Sequence, residues 1–142
     1  MREAPSAQTQ QNIQSADAVI QEALAELEEL RHLAPNWDSY GGEPPTPQAL
    51  MSAEKLLQRA SGDLGASAGG RLEPEYIAPR ADGGVQVEWG ERPTKVSVHV
   101  TAQGCFGYLA VSWKNGVREP REKHNVSLDD VIQEIARVAL DS

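Results

Sequence analysis

The sequence predicts an α+β fold: two N-terminal helices, an antiparallel β-meander of four to five strands, and a C-terminal helix packed on the sheet. Three observations lead there. Apolar residues recur at three- and four-residue steps near both ends, the periodicity switches to strict alternation in the middle, and the alternating runs are separated by segments short enough for hairpins.

The helical spacing begins at Ser15. Ala16, Val19, Ile20, Ala23, Leu24, Leu27, Leu30 and Leu33 form one stripe, and Glu22, Glu26, Glu28 and Glu29 take the opposite face. Ser15 can cap this helix, Asp17 suits its positive end, and Pro35 is expected to terminate it. Thr46 followed by Pro47 announces the second helix, with a stripe of Leu50, Ala53, Leu56, Leu57 and Ala60 and a terminator at Gly62. Residues 1–14 carry one apolar anchor, Ile13, and are expected to be a disordered arm ahead of a single domain spanning 15–142. A glycine- and serine-rich connection over about 62–72 is expected to be flexible.

Alternation starts with a strand at Glu75 to Ala78 and a turn at Asp82-Gly83-Gly84. It continues through Val85, Val87 and Trp89, through Val96, Val98 and Val100, and through Leu109, Val111 and Trp113. Asn115-Gly116 then marks a tight turn before another strand starting at Val117. Pairing Val100 with Cys105 sets Val98 opposite Gly107 and Val96 opposite Leu109. That register places the valines, Cys105, Leu109, Val111 and Trp113 on one apolar face and sends His99, Phe106 and Tyr108 outward. Ser127 caps the closing helix, whose stripe of Leu128, Val131, Ile132, Ile135, Val138 and Ala139 is expected to cover the apolar face.

Composition narrows the function classes. Thirteen basic against twenty-one acidic residues give a net charge of −8, so most of the surface repels nucleic acid and anionic membranes. Residues 1–64 hold four basic and ten acidic side chains, whereas 114–123 hold four basic and two acidic, a cluster too small for nucleic-acid binding. No run of apolar residues is long enough to span a bilayer, and the first residues lack the order of a signal peptide; the expectation is a cytoplasmic protein. The single cysteine excludes an internal disulfide and multi-cysteine metal frameworks.

Few residues carry a chemical signal. There is no phosphate-binding lysine loop and no dinucleotide glycine fingerprint, so no cofactor is expected. His32, His99 and His124 lack metal-ligand spacing, so no metal is expected either. Cys105 with His99 as its base would be a nucleophile pair, but the expected register points them to opposite faces and leaves Cys105 a buried thiol. The loop Asn36-Trp37-Asp38-Ser39-Tyr40-Gly41-Gly42 has two readings. Trp37, Asp38 and Tyr40 can form a site on an interhelical loop, or Trp37 can insert between the two helices and the sheet while Asp38 satisfies turn amides.

The string Asn36-Trp37-Asp38-Ser39-Tyr40-Gly41, a proline-started helix and the string Asp82-Gly83-Gly84-Val85-Gln86-Val87-Glu88-Trp89 together resemble a family of small bacterial proteins without an established activity. The likeness covers roughly residues 30 to 113. It implies a bacterial source and a shared fold, and it carries no catalytic residue across.

The expected function is that of a non-enzymatic protein-interaction module, antitoxin-like, immunity-like or an accessory subunit. Its contact candidates are Glu22, Glu26 and Glu29 on the first helix and Phe106, Tyr108 and His99 on the outer sheet face. The partner is another protein, a basic one if the first helix meets it, and the leucine stripe of that helix can also support a homodimer. Two alternatives stand beside this reading: a small enzyme with its site at the Trp37–Gly42 loop, and an acidic mimic of nucleic acid.

Overall fold

The computed structural model describes residues 20–64, 74–90 and 94–140. The expected arm at 1–14, the Ser15 cap, most of the connection at 62–72 and the Ala139 side chain lie outside the described residues. The elements run α1 (helical over 20–30), α2 (Pro47–Leu64), β1 (Tyr76–Pro79), β2 (Val85–Trp89), β3 (Lys95–Val100), β4 (Phe106–Lys114), β5 (Val117–Val126) and α3 (Leu128–Leu140). All five strands pair with their chain neighbours in the order β1-β2-β3-β4-β5, an antiparallel meander with helices before and behind it: an α+β fold.

The caps form where the sequence places them. Thr46 Oγ1 accepts the Ala49 amide at 3.0 Å at the start of α2, and Ser127 Oγ accepts the Asp130 amide at 3.1 Å at the start of α3. Two helix ends differ from expectation. The last turns of α1 close with three-residue steps, Arg31 to Glu28, His32 to Glu29 and Leu33 to Leu30, so the helix finishes at residue 30, ahead of Pro35. In contrast, α2 runs through Gly62 to Leu64, its final turn bridged by the Arg59–Asp63 ion pair at 3.1 Å.

The inner face of the sheet buries Val85, Val87, Trp89, Val96, Val98 and Val100 against Ala49, Leu50, Ala53, Leu56, Leu57 and Ala60 of α2 and Val131, Ile132, Ile135 and Val138 of α3. From α1, Ala23 and Leu27 join the same core, and Ile20 and Ala23 meet Leu57, Ala60 and Trp89 at the seam between α1, α2 and β2. All three helices therefore lie on one side. The opposite side has no helix over it among the described residues.

The register of β4 corrects the expected one by a single residue. Val100 pairs with Phe106, Val98 with Tyr108 and Val96 with Ala110. The turn between β3 and β4 has three loop residues, with the Thr101 amide donating to Cys105 O at 2.8 Å and the Gly104 amide to Thr101 O at 2.8 Å. Gly104 sits at φ 86, the left-handed geometry that lets such a turn add one residue before pairing resumes. Strand side chains alternate, so a one-residue slip exchanges the faces completely. Tyr108 is buried at 3% exposure and Phe106 packs half-buried against the core, whereas Leu109 and Trp113 lie on the outer face, 37% and 45% exposed. The expected placement of Leu109 and Val111 on the face of the valines, and the expected outward placement of Phe106 and Tyr108, are both overturned; Val111 is nevertheless buried, at 8% exposure, on the outer side. Cys105 likewise is exposed on the turn rather than buried.

An ion pair fastens α3 to the sheet. Arg121 on β5 donates to Glu134 of α3 at 3.0 Å and to Ser112 Oγ on β4 at 3.1 Å, and Glu134 is itself buried. Arg59 of α2 meanwhile reaches Asp129 in the first turn of α3 at 2.8 Å.

The register makes opposite demands on two adjacent residues. Tyr108→Ala should cost about 3 kcal/mol or more by emptying a core site, and Leu109→Ala under about 1 kcal/mol because its side chain is on the open face. Urea midpoints of the two variants check this; equal losses would contradict the register.

Candidate functional site

The Asn36–Pro45 loop uses its own polar groups to hold its shape. Asn36 and Ser39 adopt left-handed φ values of 64 and 65, and Gly41 one of 79. Asn36 Oδ1 accepts the Gly41 amide at 2.6 Å, while Asp38 Oδ1 accepts the Tyr40 amide at 2.9 Å and the Gly42 amide at 2.8 Å. Those two amide donors hold the Asp38 carboxyl below the ordinary carboxylate value. Gly42 is required here, because a Cβ at that position would stand 2.7 Å from the Asp38 carboxyl group.

Trp37 does not insert between the helices and the sheet. It is half-buried outside the core, its indole Nε1 donating to Glu43 O at 2.8 Å, and Tyr40 beside it is 92% exposed. An indole whose N–H is spent on its own loop closes that loop, which is why the core can do without it. The loop then docks on the β1–β2 turn: Glu43 donates its amide to Ala81 O at 2.9 Å and Thr46 to Gly83 O at 3.0 Å. Thr46 Oγ1 reaches Ala102 O on the β3–β4 turn. The two strings Asn36–Gly41 and Asp82–Trp89, distant in sequence, are thus neighbours at one end of the sheet.

Glu88 belongs to a polar network on β2 and β3, where Gln86 Nε2 donates to Glu88 Oε1 at 3.1 Å and to Ser97 Oγ at 3.0 Å, and Lys95 Nζ lies 3.3 Å from the same carboxylate oxygen.

This network is one half of the outer sheet face. Cross-strand partners define its rows: Tyr76, Glu88, Ser97, Leu109 and Glu122 in one, Lys95, Val111 and Pro120 in the next, Trp113 and Arg118 beyond. Leu109, Val111 and Trp113 thereby make an apolar row along β4, Leu109 and Trp113 exposed and Val111 buried between them, with Tyr76 51% exposed at the far edge. Alternation marks these residues from sequence as one set, but assigns them to the wrong side until the loop length of the β3–β4 turn is known.

His99 occupies the outer face as expected, but among different neighbours. It pairs with Gly107, where a Cβ would collide with the His99 ring. The missing side chain lets the rings of His99 and His124 approach to 5.5 Å, and His124 Nε2 lies 3.0 Å from Glu122 Oε1. The pairing of β4 with β5 is irregular here, shifting between Phe106 and Tyr108, with Asn125 at φ 57. Burial first, then the Arg80 guanidinium and the His124 ring, holds His99 below the ordinary imidazole value, against the opposing pull of Glu122 and Asp82.

The glutamates of α1 are displayed as the helical spacing predicts. Glu22, Glu26, Glu28 and Glu29 are all exposed, and among the described residues only Glu28 has a cationic partner, Arg31 at 2.9 Å. No described helix is long and apolar enough to cross a membrane. No family model, curated protein or solved structure matches the chain.

The His99 environment makes stability depend on pH. An unfolded histidine takes up its proton near 6.5, the folded one only at lower pH, so the unfolded state gains protons first as the solution is acidified. Stability should be highest above pH 6.5 and fall as pH drops through that value toward the folded pKa. The fall should be smaller in His99→Gln; urea midpoints at pH 7.5 and 5.5 for both proteins check it.

Proposed function

We propose that this chain is a non-enzymatic protein-interaction module, of the kind that serves as an antitoxin, an immunity protein or an accessory subunit, and that its working surface is the outer face of the sheet. One observation carries the reading: all three helices cover the same side of the meander, and the other side holds Leu109, Val111 and Trp113 in line along β4. An apolar centre bordered by polar and charged groups is the usual anatomy of a protein contact. Here the border is supplied by Glu88, Ser97 and Lys95 on one flank and by Arg118 and Glu122 on the other. The exposed glutamates of α1 support the same class, since a one-signed surface accelerates encounter with a basic protein.

The loop-centred enzyme reading has less behind it, because the hydrogen bonds of Asp38 and Trp37 serve the loop itself. The nucleic-acid mimic reading draws on α1 alone.

Capture from the source cell with the wild-type chain and with Leu109→Lys and Trp113→Lys side by side tests the proposal. A partner held by this face should be lost from both variants, with affinity reduced about tenfold or more. Glu26→Lys with Glu29→Lys should slow association and flatten its salt dependence. Unchanged affinity in both outer-face variants would overturn the assignment.

A further inference from the structure

We infer that the end of β5, residues 122–126, is an acid-released latch: protonation of the His99 and His124 rings together opens this stretch of the edge strand while the rest of the sheet stays closed.

The two imidazoles meet across an intervening strand. His99 lies on β3 and His124 on β5, and their ring centroids stand 5.5 Å apart because Gly107 of β4 has no side chain to separate them. Two positive charges held that close repel each other.

The surrounding charges leave the His99 proton without a counter-ion. The β1–β2 turn brings Arg80 and Asp82 toward His99, and these two are paired with each other at 3.5 Å. β5 brings His124 and Glu122, whose side chains are 3.0 Å apart, while Lys123 pairs with Tyr108 on the inner face. β2 sets the uncharged Gln86 opposite His99, with Glu88 in the next row held by Gln86 and Lys95. The β3–β4 turn adds the Cys105 thiol and no charged side chain. A proton on His124 therefore tightens its contact with Glu122. A proton on His99 instead faces the Arg80 guanidinium and the His124 ring, with both nearby carboxylates already engaged. Opening the end of β5 takes His124 away and admits water, so that His99 takes up its proton near its ordinary value of 6.5 rather than below it, and acid favours the open form.

The repulsion is relieved at β5 because β5 is the less firmly held of the two strands. β3 lies between β2 and β4 and buries Val96, Val98 and Val100. β5 is an edge strand, its pairing with β4 shifts between Phe106 and Tyr108, and Asn125 adopts a left-handed φ of 57 at the same place. Both flanks of the stretch are anchored, by Arg121 to Glu134 and Ser112 on one side and by the buried Val131 and Ile135 of α3 on the other. Opening is thereby confined to the residues between them.

Amide hydrogen exchange of the full chain, expressed as protection relative to an unstructured peptide at pH 7.5 and at pH 5.0, separates this opening from global unfolding. On acidification residues 122–126 should lose about tenfold more protection than the amides of β2 and β3. His99→Gln and His124→Gln should each abolish that extra loss, so the test survives if one of them fails to fold. Glu122→Gln should deepen it, because the carboxylate that offsets the charge on His124 is gone. Equal losses at 122–126 and in the central strands, no loss at 122–126, or an extra loss that persists in the histidine variants would overturn the inference.

Discussion

The three-residue turn between β3 and β4 decides which side chains of β4 enter the core. Gly104 takes a left-handed conformation, Thr101 and Cys105 close the loop through backbone hydrogen bonds, and the Thr101 hydroxyl accepts the Cys105 amide at 3.1 Å. From that point pairing resumes at Phe106, which sends Tyr108 and Ala110 into the core and Leu109, Val111 and Trp113 to the other side. Farther along, Gly107 reinforces the choice. Its bare α-carbon leaves room for the His99 ring, and any register that moved a larger residue to that place would displace the imidazole.

The other end of the sheet is held by side chains rather than by turn geometry. Arg121 and Glu134 join β5 to α3, and Arg59 joins α2 to α3, so the two helices that cover the inner face are tied to it and to each other. Glu134 is buried and Arg121 retains partial contact with water, a combination in which removing either partner is costlier than the pair is stabilising. At the opposite edge, the Asn36–Pro45 loop, the β1–β2 turn and the β3–β4 turn are bonded into one unit through Glu43, Thr46 and Ala102. That arrangement explains why two distinctive strings lie so far apart in sequence: each is half of one structural joint.

The helices and the meander were legible because their signals are local. Thr46-Pro47 and Ser127 are capping sites readable over four residues, and the valines of β2 and β3 alternate without interruption. What escaped was non-local or depended on one residue of loop length. A pairing that began at Cys105 instead of Phe106 left each strand in place and reversed the face of every side chain on β4, so the contact candidates Phe106 and Tyr108 exchanged roles with Leu109 and Trp113. Gly104 held the information, since a glycine fourth in a Thr-Ala-Gln-Gly turn suits a left-handed position. Trp37 misled for another reason: its size suggested a core anchor, but the carbonyl of Glu43 six residues on satisfied its indole locally. The exposed glutamates of α1 were read correctly because helical spacing alone settles which face they take.

The order of elements also shapes how the chain acquires its core. Because every strand pairs with its neighbour in sequence, the sheet can zip up from local contacts with little loop entropy to overcome. The inner face it presents is covered in two instalments, by α1 and α2, made before the sheet, and by α3, made after it. During synthesis the surface of Val96, Val98 and Ala110 destined for α3 thus stays wet until after β5 is complete. Pro120, which has no amide to donate, and its charged neighbours on the β5 edge blunt the pairing of that edge with other chains.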